Sequence, residues 1–272
     1  MALLLSFATT SWAQDSEKDA KAQSDAVAEA VDTYNKYGAQ PYKGKKILSL
    51  GDSYTYQNNY GAYLAKATGC TQRGRGYNGA SLKWFVANEY MDPATGMVVE
   101  EDFDAKLLNQ YDIITVMGGT NNWGTHCPIG TIDDAPGIFT IYGETKYVIE
   151  TILKLKPNAK LYFCTQPFRN INMMYHKGYG GYEPNEAGVT LEESMDAIRD
   201  CCAHYGIPCF DFYHLCGWND YNNIEIQDPV HPANPDPYGG NILTIDGLHP
   251  RNGDGNGADQ LGTTFGRFIN EH

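Results

Sequence analysis

Three short stretches of this sequence hold groups that together could hydrolyse an ester. Gly51-Asp52-Ser53 places a serine in a tight, glycine-containing turn between an apolar run and a helix. A serine so placed projects its hydroxyl, and its own N–H lies at the start of the helix. Serine is a poor nucleophile at neutral pH unless a base takes its proton, and histidine is the usual base. Asp246-Gly247-Leu248-His249 offers that base, with Asp246 on the same short loop to hold the imidazole in the required tautomer. The tetrahedral intermediate of acyl transfer also needs preorganised donors for its oxyanion. The side-chain amide of Asn121, in Gly119-Thr120-Asn121-Asn122, is one. Singly, each motif is ordinary turn chemistry, because Gly, Asp, Asn and Ser are what loops use. Their order and placement point to a serine hydrolase.

The elements that must position them follow a repeating pattern. Lys46 to Leu50 is a short apolar run that reads as a strand ending at Gly51, and Tyr60, Tyr63, Leu64 and Ala67 recur at helical spacing before Gly69. Asp112 to Met117 is a second clear strand, followed by a helix over Ile138 to Leu155 and a strand over Lys160 to Thr165. A helix over Leu191 to Tyr205, a strand over Ile207 to Phe212 and a last helix over Ala258 to Ile269 complete the series. Cys70 to Tyr77, though rich in Gly and Arg, should hold one more strand. Short strands that are apolar on both faces and alternate with helices form a parallel sheet covered on both sides. The expectation is therefore an α/β domain over residues 45–272, a three-layer α/β/α sandwich with a parallel, flavodoxin-like sheet of about five strands. Ligands of such sheets bind at the carboxyl ends of the strands, and two of the three motifs follow strand ends while the third precedes the last helix.

In this order and position the motifs resemble the blocks of the SGNH (GDSL-type) hydrolase superfamily. The resemblance implies Ser53 as nucleophile, His249 as general base, Asp246 as its orienting partner and Asn121 as an oxyanion donor. It further implies that the backbone N–H groups of Ser53 and of a glycine join the oxyanion hole. Gly79-Ala80-Ser81 fits that glycine block, with Gly76 as the alternative. Two positions depart from the family pattern. Tyr54 stands where the family has leucine, and Asn122 replaces the aspartate of its Asn-Asp pair, which implies altered loop bonding with activity retained.

Composition narrows the function classes. A formal net charge of −13 with no Lys/Arg cluster argues against a nucleic-acid partner. Residues 1–13 are a short apolar run ending in Ser11-Trp12-Ala13, like the remnant of a signal peptide, and residues 14–44 form a polar, Ala-rich segment. The apolar run falls short of the ~20 residues that span a bilayer, so no integral membrane segment is expected. The reading is a secreted or periplasmic protein. Seven cysteines, an odd number with no C-x-x-C pair, make a cysteine zinc site unexpected, and neither a metal nor an organic cofactor is called for. Gly74 to Gly79 matches G-x-G-x-x-G but follows no apolar strand, so it is rejected as a dinucleotide site. Asn252 to Gly257 resembles the start of a calcium loop, but lacks its first Asp and its Glu and reads better as a turn capping the last helix.

Two long insertions, Arg169 to Gly188 and His214 to Asn241, are rich in Tyr, Asn, Gly and Pro, a composition suited to gripping sugar. Trp123, Tyr54 and His126 are candidates for lining the substrate site, Trp123 equally a candidate for the core. The expected partner is a small-molecule or glycan ester, and the favoured reaction is removal of O-acetyl groups from a glycan. A lipase, lysophospholipase or thioesterase of the same fold is the alternative within enzymes, and a non-catalytic glycan-binding module the alternative outside them.

Overall fold

The computed structural model describes residues 2–93, 95–169, 182–219, 222–223 and 243–272, with side chains from residue 18 onward. The chain divides into two units, Met1–Gln40 and Pro41–His272. The first holds one continuous helix, α1 (Ala2–Tyr37), which takes in the apolar run and most of the polar segment. No helix among the described residues is long and apolar enough to cross a membrane.

The second unit runs β1 (Lys46–Gly51), α2 (Ser53–Gln57), α3 (Gly61–Thr68), β2 (Thr71–Gly76), a 3-10 turn over Leu82–Val86, β3 (Glu89–Met91), β4 (Val98–Glu100), α4 (Ala105–Leu108), β5 (Ile113–Met117) and α5 (Thr120–Gly124). It continues with α6 (Ile141–Leu155), β6 (Lys160–Cys164), α7 (Leu191–His204), β7 (Cys209–Phe210), α8 (Phe212–Leu215) and α9 (Gly257–Glu271). Five strands form one sheet in the order β2-β1-β5-β6-β7, every pair parallel. Strand β5 is buried at every residue and β1 at all but Lys46, so their lack of alternation reflects cover on both faces. Helix α3 packs on α9 and α6 on α7, giving the three-layer sandwich.

Register fixes where the site lies. Gly51 stands opposite Met117, and Met117 opposite Cys164, so the carboxyl ends of β1, β5 and β6 form one row. Residues just beyond that row, Ser53, Gly119 and Gln166, leave the sheet along the same edge.

Departures from the sequence reading have local causes. Strand β2 is glycine-rich because α2 lies on it: a Cβ on Gly76 would stand 2.3 Å from the backbone nitrogen of Tyr56. Helix α6 begins at Ile141 rather than Ile138, since Thr140 caps it by accepting from Gly143 N at 2.9 Å. Strand β7 is short because Asp211 leaves the sheet to cap α8. The antiparallel hairpin β3–β4 was unforeseen; its strands of three residues each carry too short a pattern to read. None of the seven cysteines is bridged. In the Asn252–Gly257 turn, Gly255 N donates to Asp259 Oδ2 at 2.9 Å, an arrangement leading into α9.

Candidate active site

Ser53 opens α2 directly after β1. The chain can turn out of the sheet there because position 51 is glycine. A Cβ at that position would lie 2.2 Å from Thr55 Oγ1 and 2.6 Å from the carbonyl oxygen of Met117. Asp52 caps the helix, its Oδ1 accepting from Tyr54 N at 3.1 Å. Ser53 retains 8% exposure.

His249 reaches Ser53 from a loop closed by a bridge between Thr244 and Pro250 and bent at Gly247, whose φ of 82° favours glycine. Asp246 organises the bend: its Oδ1 accepts the backbone N–H groups of Leu248 at 3.0 Å and His249 at 2.7 Å. Its Oδ2 lies 2.6 Å from His249 Nδ1, and His249 Nε2 lies 2.9 Å from Ser53 Oγ. With Nδ1–H donating to the carboxylate, Nε2 presents a lone pair to the serine hydroxyl. Burial alone would push the Asp246 carboxyl up, but bonds from the His249 ring and the two amides outweigh it and hold it below the usual carboxylate range.

Asn121 enters from the neighbouring strand end, in the first turn of α5. Its Nδ2 donates to Ala80 O at 3.1 Å and lies 3.3 Å from Asp52 Oδ2. That contact brings the Gly79-Ala80 segment alongside Asn121. Gly79 has a φ of 67°, and a Cβ there would meet Pro93 Cγ at 2.9 Å. Gly76, the alternative oxyanion glycine, is accounted for by the close approach of α2.

Asn122 has a separate role. Its Oδ1 accepts from Leu82 N at 2.9 Å, and its Nδ2 donates to the buried Glu144 Oε2 at 2.7 Å. Lys83 approaches the other oxygen of Glu144 at 3.6 Å. Glu144 thus supplies the buried carboxylate that a lone amide at 122 lacks.

Of the three candidates for substrate contact, two are buried. Trp123 is fully buried, its Nε1 donating to Val189 O at 2.8 Å, so it fills the core under the loop. Tyr54 is also buried, its hydroxyl donating to Leu248 O at 2.6 Å, so it braces the histidine loop. Both have their polar atom satisfied inside and present no accessible face to a substrate. His126, at a φ of 58°, stays part-exposed, its Nδ1 accepting from Glu186 N at 3.4 Å.

Three further residues belong to the site and were not singled out from sequence. Asp52, fully buried, has its carboxyl pushed up to about 6 by burial, against the pull of bonds from Gln166 and Tyr54 N and the charge of His249. Gln166 bridges the strand ends: its Nε2 donates to Asp52 Oδ2 at 2.9 Å and its Oε1 accepts from Thr120 N at 2.8 Å. Arg169 follows it, buried, with Nη1 donating to Thr120 Oγ1 at 3.0 Å. The rule that ligands gather at strand ends, applied to the end of β6, would have marked Gln166. Tyr175, Tyr179, Tyr221 and Tyr238 of the two insertions lie outside the described residues.

The family model of the GDSL-like Lipase/Acylhydrolase family matches residues 49–235, more than half of the chain. The chain belongs to this family. The GDSL-like acylhydrolase match makes it an ester hydrolase, and which ester it cleaves is a matter for the site. Solved structures share the fold at low identity. A possible lipase from Chitinophaga pinensis is 24% identical, with a TM-score of 0.60, 84% of this chain and 96% of that chain covered. A protein from Lactobacillus plantarum is 22% identical, with a TM-score of 0.60, 85% of this chain and 98% of that chain covered. No curated protein sequence matches the chain.

Proposed function

We propose that this acylhydrolase is a serine esterase whose natural substrate is an O-acetylated carbohydrate. The observation that supports the mechanism is the chain of contacts from Asp246 through His249 to Ser53 Oγ, at 2.6 and 2.9 Å. In this reaction Ser53 Oγ attacks the ester carbonyl while His249 Nε2 takes its proton. The oxyanion is met by Asn121 Nδ2 and by the backbone N–H groups of Ser53 and Gly79. The tetrahedral intermediate collapses as His249 passes the proton to the leaving alkoxide, releasing the alcohol. Water then attacks the acetyl-enzyme, His249 again taking a proton, and acetate leaves with Ser53 restored. No metal is needed at any step.

A carbohydrate ester is favoured over a long-chain lipid by the polar and aromatic composition of the two insertions. Export, read from the apolar first residues, agrees with a glycan substrate outside the cytoplasm. Rates on acetyl and octanoyl esters of 4-nitrophenol test the acyl preference: the account expects acetate to be the better substrate, and octanoate preference would favour a lipase. Glycan binding with no ester turnover of any kind would mark a binding module.

A further inference from the structure

Gly79, the glycine assigned to the oxyanion hole, lies in a tight turn. Ala80 N donates to Tyr77 O at 3.2 Å, which closes the turn with Asn78 and Gly79 at its centre. Gly79 has a φ of 67° while Asn78 has a negative one, a combination that belongs to the type II turn. Types I and II differ by a half rotation of the central peptide, here the one joining Asn78 to Gly79. Glycine accepts the backbone angles of both. The two orientations are chemically opposite, because the carbonyl of Asn78 and the N–H of Gly79 are the two ends of one trans peptide. Rotation would bring a carbonyl oxygen to the place of the oxyanion donor.

The β3–β4 hairpin holds the carbonyl end of that peptide. The hydroxyl of Tyr90, on β3, donates to Asn78 O. A Cβ on Gly79 would lie 3.7 Å from the same hydroxyl and 2.9 Å from Pro93 Cγ. Tyr90 is buried, its ring stacked on Tyr77 with 5.1 Å between centroids and edge-on to Trp84 at 5.8 Å. The hairpin is in turn tied to the sheet at both feet. Arg75, on β2, donates through Nη2 to Ala87 O before β3 at 2.7 Å and to Glu101 O after β4 at 3.2 Å. At the other end of the peptide, the Gly79 N–H has no acceptor among the described residues, and Gly79 is exposed. A fixed hydroxyl thus grips one end of a peptide whose other end is open.

We propose that Tyr90 is a positioning residue of the reaction: its hydroxyl holds the Asn78–Gly79 peptide in the orientation that presents the Gly79 N–H to the oxyanion. The inference rests on the serine reaction and on the assignment of Gly79 to its oxyanion hole. Tyr90 acts through the peptide alone. A bond to the carbonyl oxygen also polarises the amide, which makes its N–H a stronger donor. Acylation and deacylation both pass through a tetrahedral oxyanion, so the effect falls on kcat whichever step is limiting.

Tyr90→Phe and Tyr90→Leu, with Ser53→Ala as the control, test this on 4-nitrophenyl acetate. Phenylalanine keeps the ring against Tyr77 and Trp84 and loses only the hydroxyl, whereas leucine loses both. Losing an oxyanion donor outright costs ~10²–10³ in kcat, and loosening one should cost about tenfold. Tyr90→Phe should therefore lower kcat about tenfold and change KM by less than about twofold, at a Tm near that of the wild type. Inactivation of Ser53 by diethyl 4-nitrophenyl phosphate, whose phosphoryl oxygen takes the oxyanion position, should slow in proportion. A ring that merely packs gives a different pattern: wild-type kcat in Tyr90→Phe, with loss only in Tyr90→Leu. That result overturns the proposal, and so does a change confined to KM. Ester turnover that survives Ser53→Ala would contradict the serine reading and overturn the proposal with it. Wild-type kcat in Tyr90→Phe beside an inactive Ser53→Ala would overturn the proposal and leave that reading standing.

Discussion

The hydroxyl of Tyr54, the residue after the nucleophile, donates to the carbonyl oxygen of Leu248, the residue before the base, at 2.6 Å. The Tyr54 ring also lies 5.9 Å from that of His249. A leucine at this position could pack there but could not bond the loop. The departure from the family pattern at position 54 therefore ties the two halves of the reaction centre together.

Replacing Tyr54 by Phe keeps the packing and leaves the buried Leu248 carbonyl without its partner. The expected loss is about 1–2 kcal/mol of stability, together with a fall of several-fold in kcat as His249 loses its brace. Denaturant unfolding and steady-state rates on 4-nitrophenyl acetate check both. An unchanged kcat would mean that the bond serves stability alone.

Gln166 holds Asp52 and the first turn of α5 at once, and so fixes where Asn121 Nδ2 can point. Gln166→Leu should lower kcat by about tenfold, a fraction of the cost of losing an oxyanion donor outright, with little change in KM. A change confined to KM would place Gln166 in substrate binding instead.

Asp52 gives a pH signature. An exposed aspartate titrates near ~3.9, whereas folded Asp52 keeps its proton up to about 6. Between these values the unfolded chain releases the proton and the folded chain does not, so Asp52 costs stability as pH rises through that window, and the cost is constant above it. Asp52→Asn should therefore gain on the order of 2 kcal/mol relative to wild type between pH 4 and pH 7. Unfolding curves of the two proteins across that range check the slope, and parallel pH dependences would contradict the assignment.

Asn122 and Glu144 form a coupled pair. Asn122→Asp would set two buried carboxylates against each other at the 2.7 Å contact, and should cost at least about 2 kcal/mol at neutral pH. Adding Glu144→Gln should recover most of the loss, since the new amide can donate where Asn122 did. A double-mutant cycle with no coupling would refute the compensation.

Much of this was legible in the sequence because it is local. Apolar runs ending at Gly51 and Gly118 marked strands whose ends carry Ser53 and Asn121, and Asp246 and His249 share one loop. What failed was long-range. Trp123 is buried by Val189, 66 residues further on, and Tyr54 is held by Leu248, 194 residues away; neither partner leaves a trace in the local pattern. Gln166 and Glu144 were silent for the same reason, since a lone polar residue after a strand or within a helix shows nothing until its partner is placed. The hairpin β3–β4 had too few residues for periodicity to register.

Ser53 as the nucleophile of an esterase is tested by hydrolysis of 4-nitrophenyl acetate by wild type and Ser53→Ala. Wild-type turnover should be measurable and should fall by about 10³-fold or more in the variant, with the variant folded as judged by its Tm. A Ser53→Ala protein that hydrolyses the acetate at the wild-type rate would contradict it.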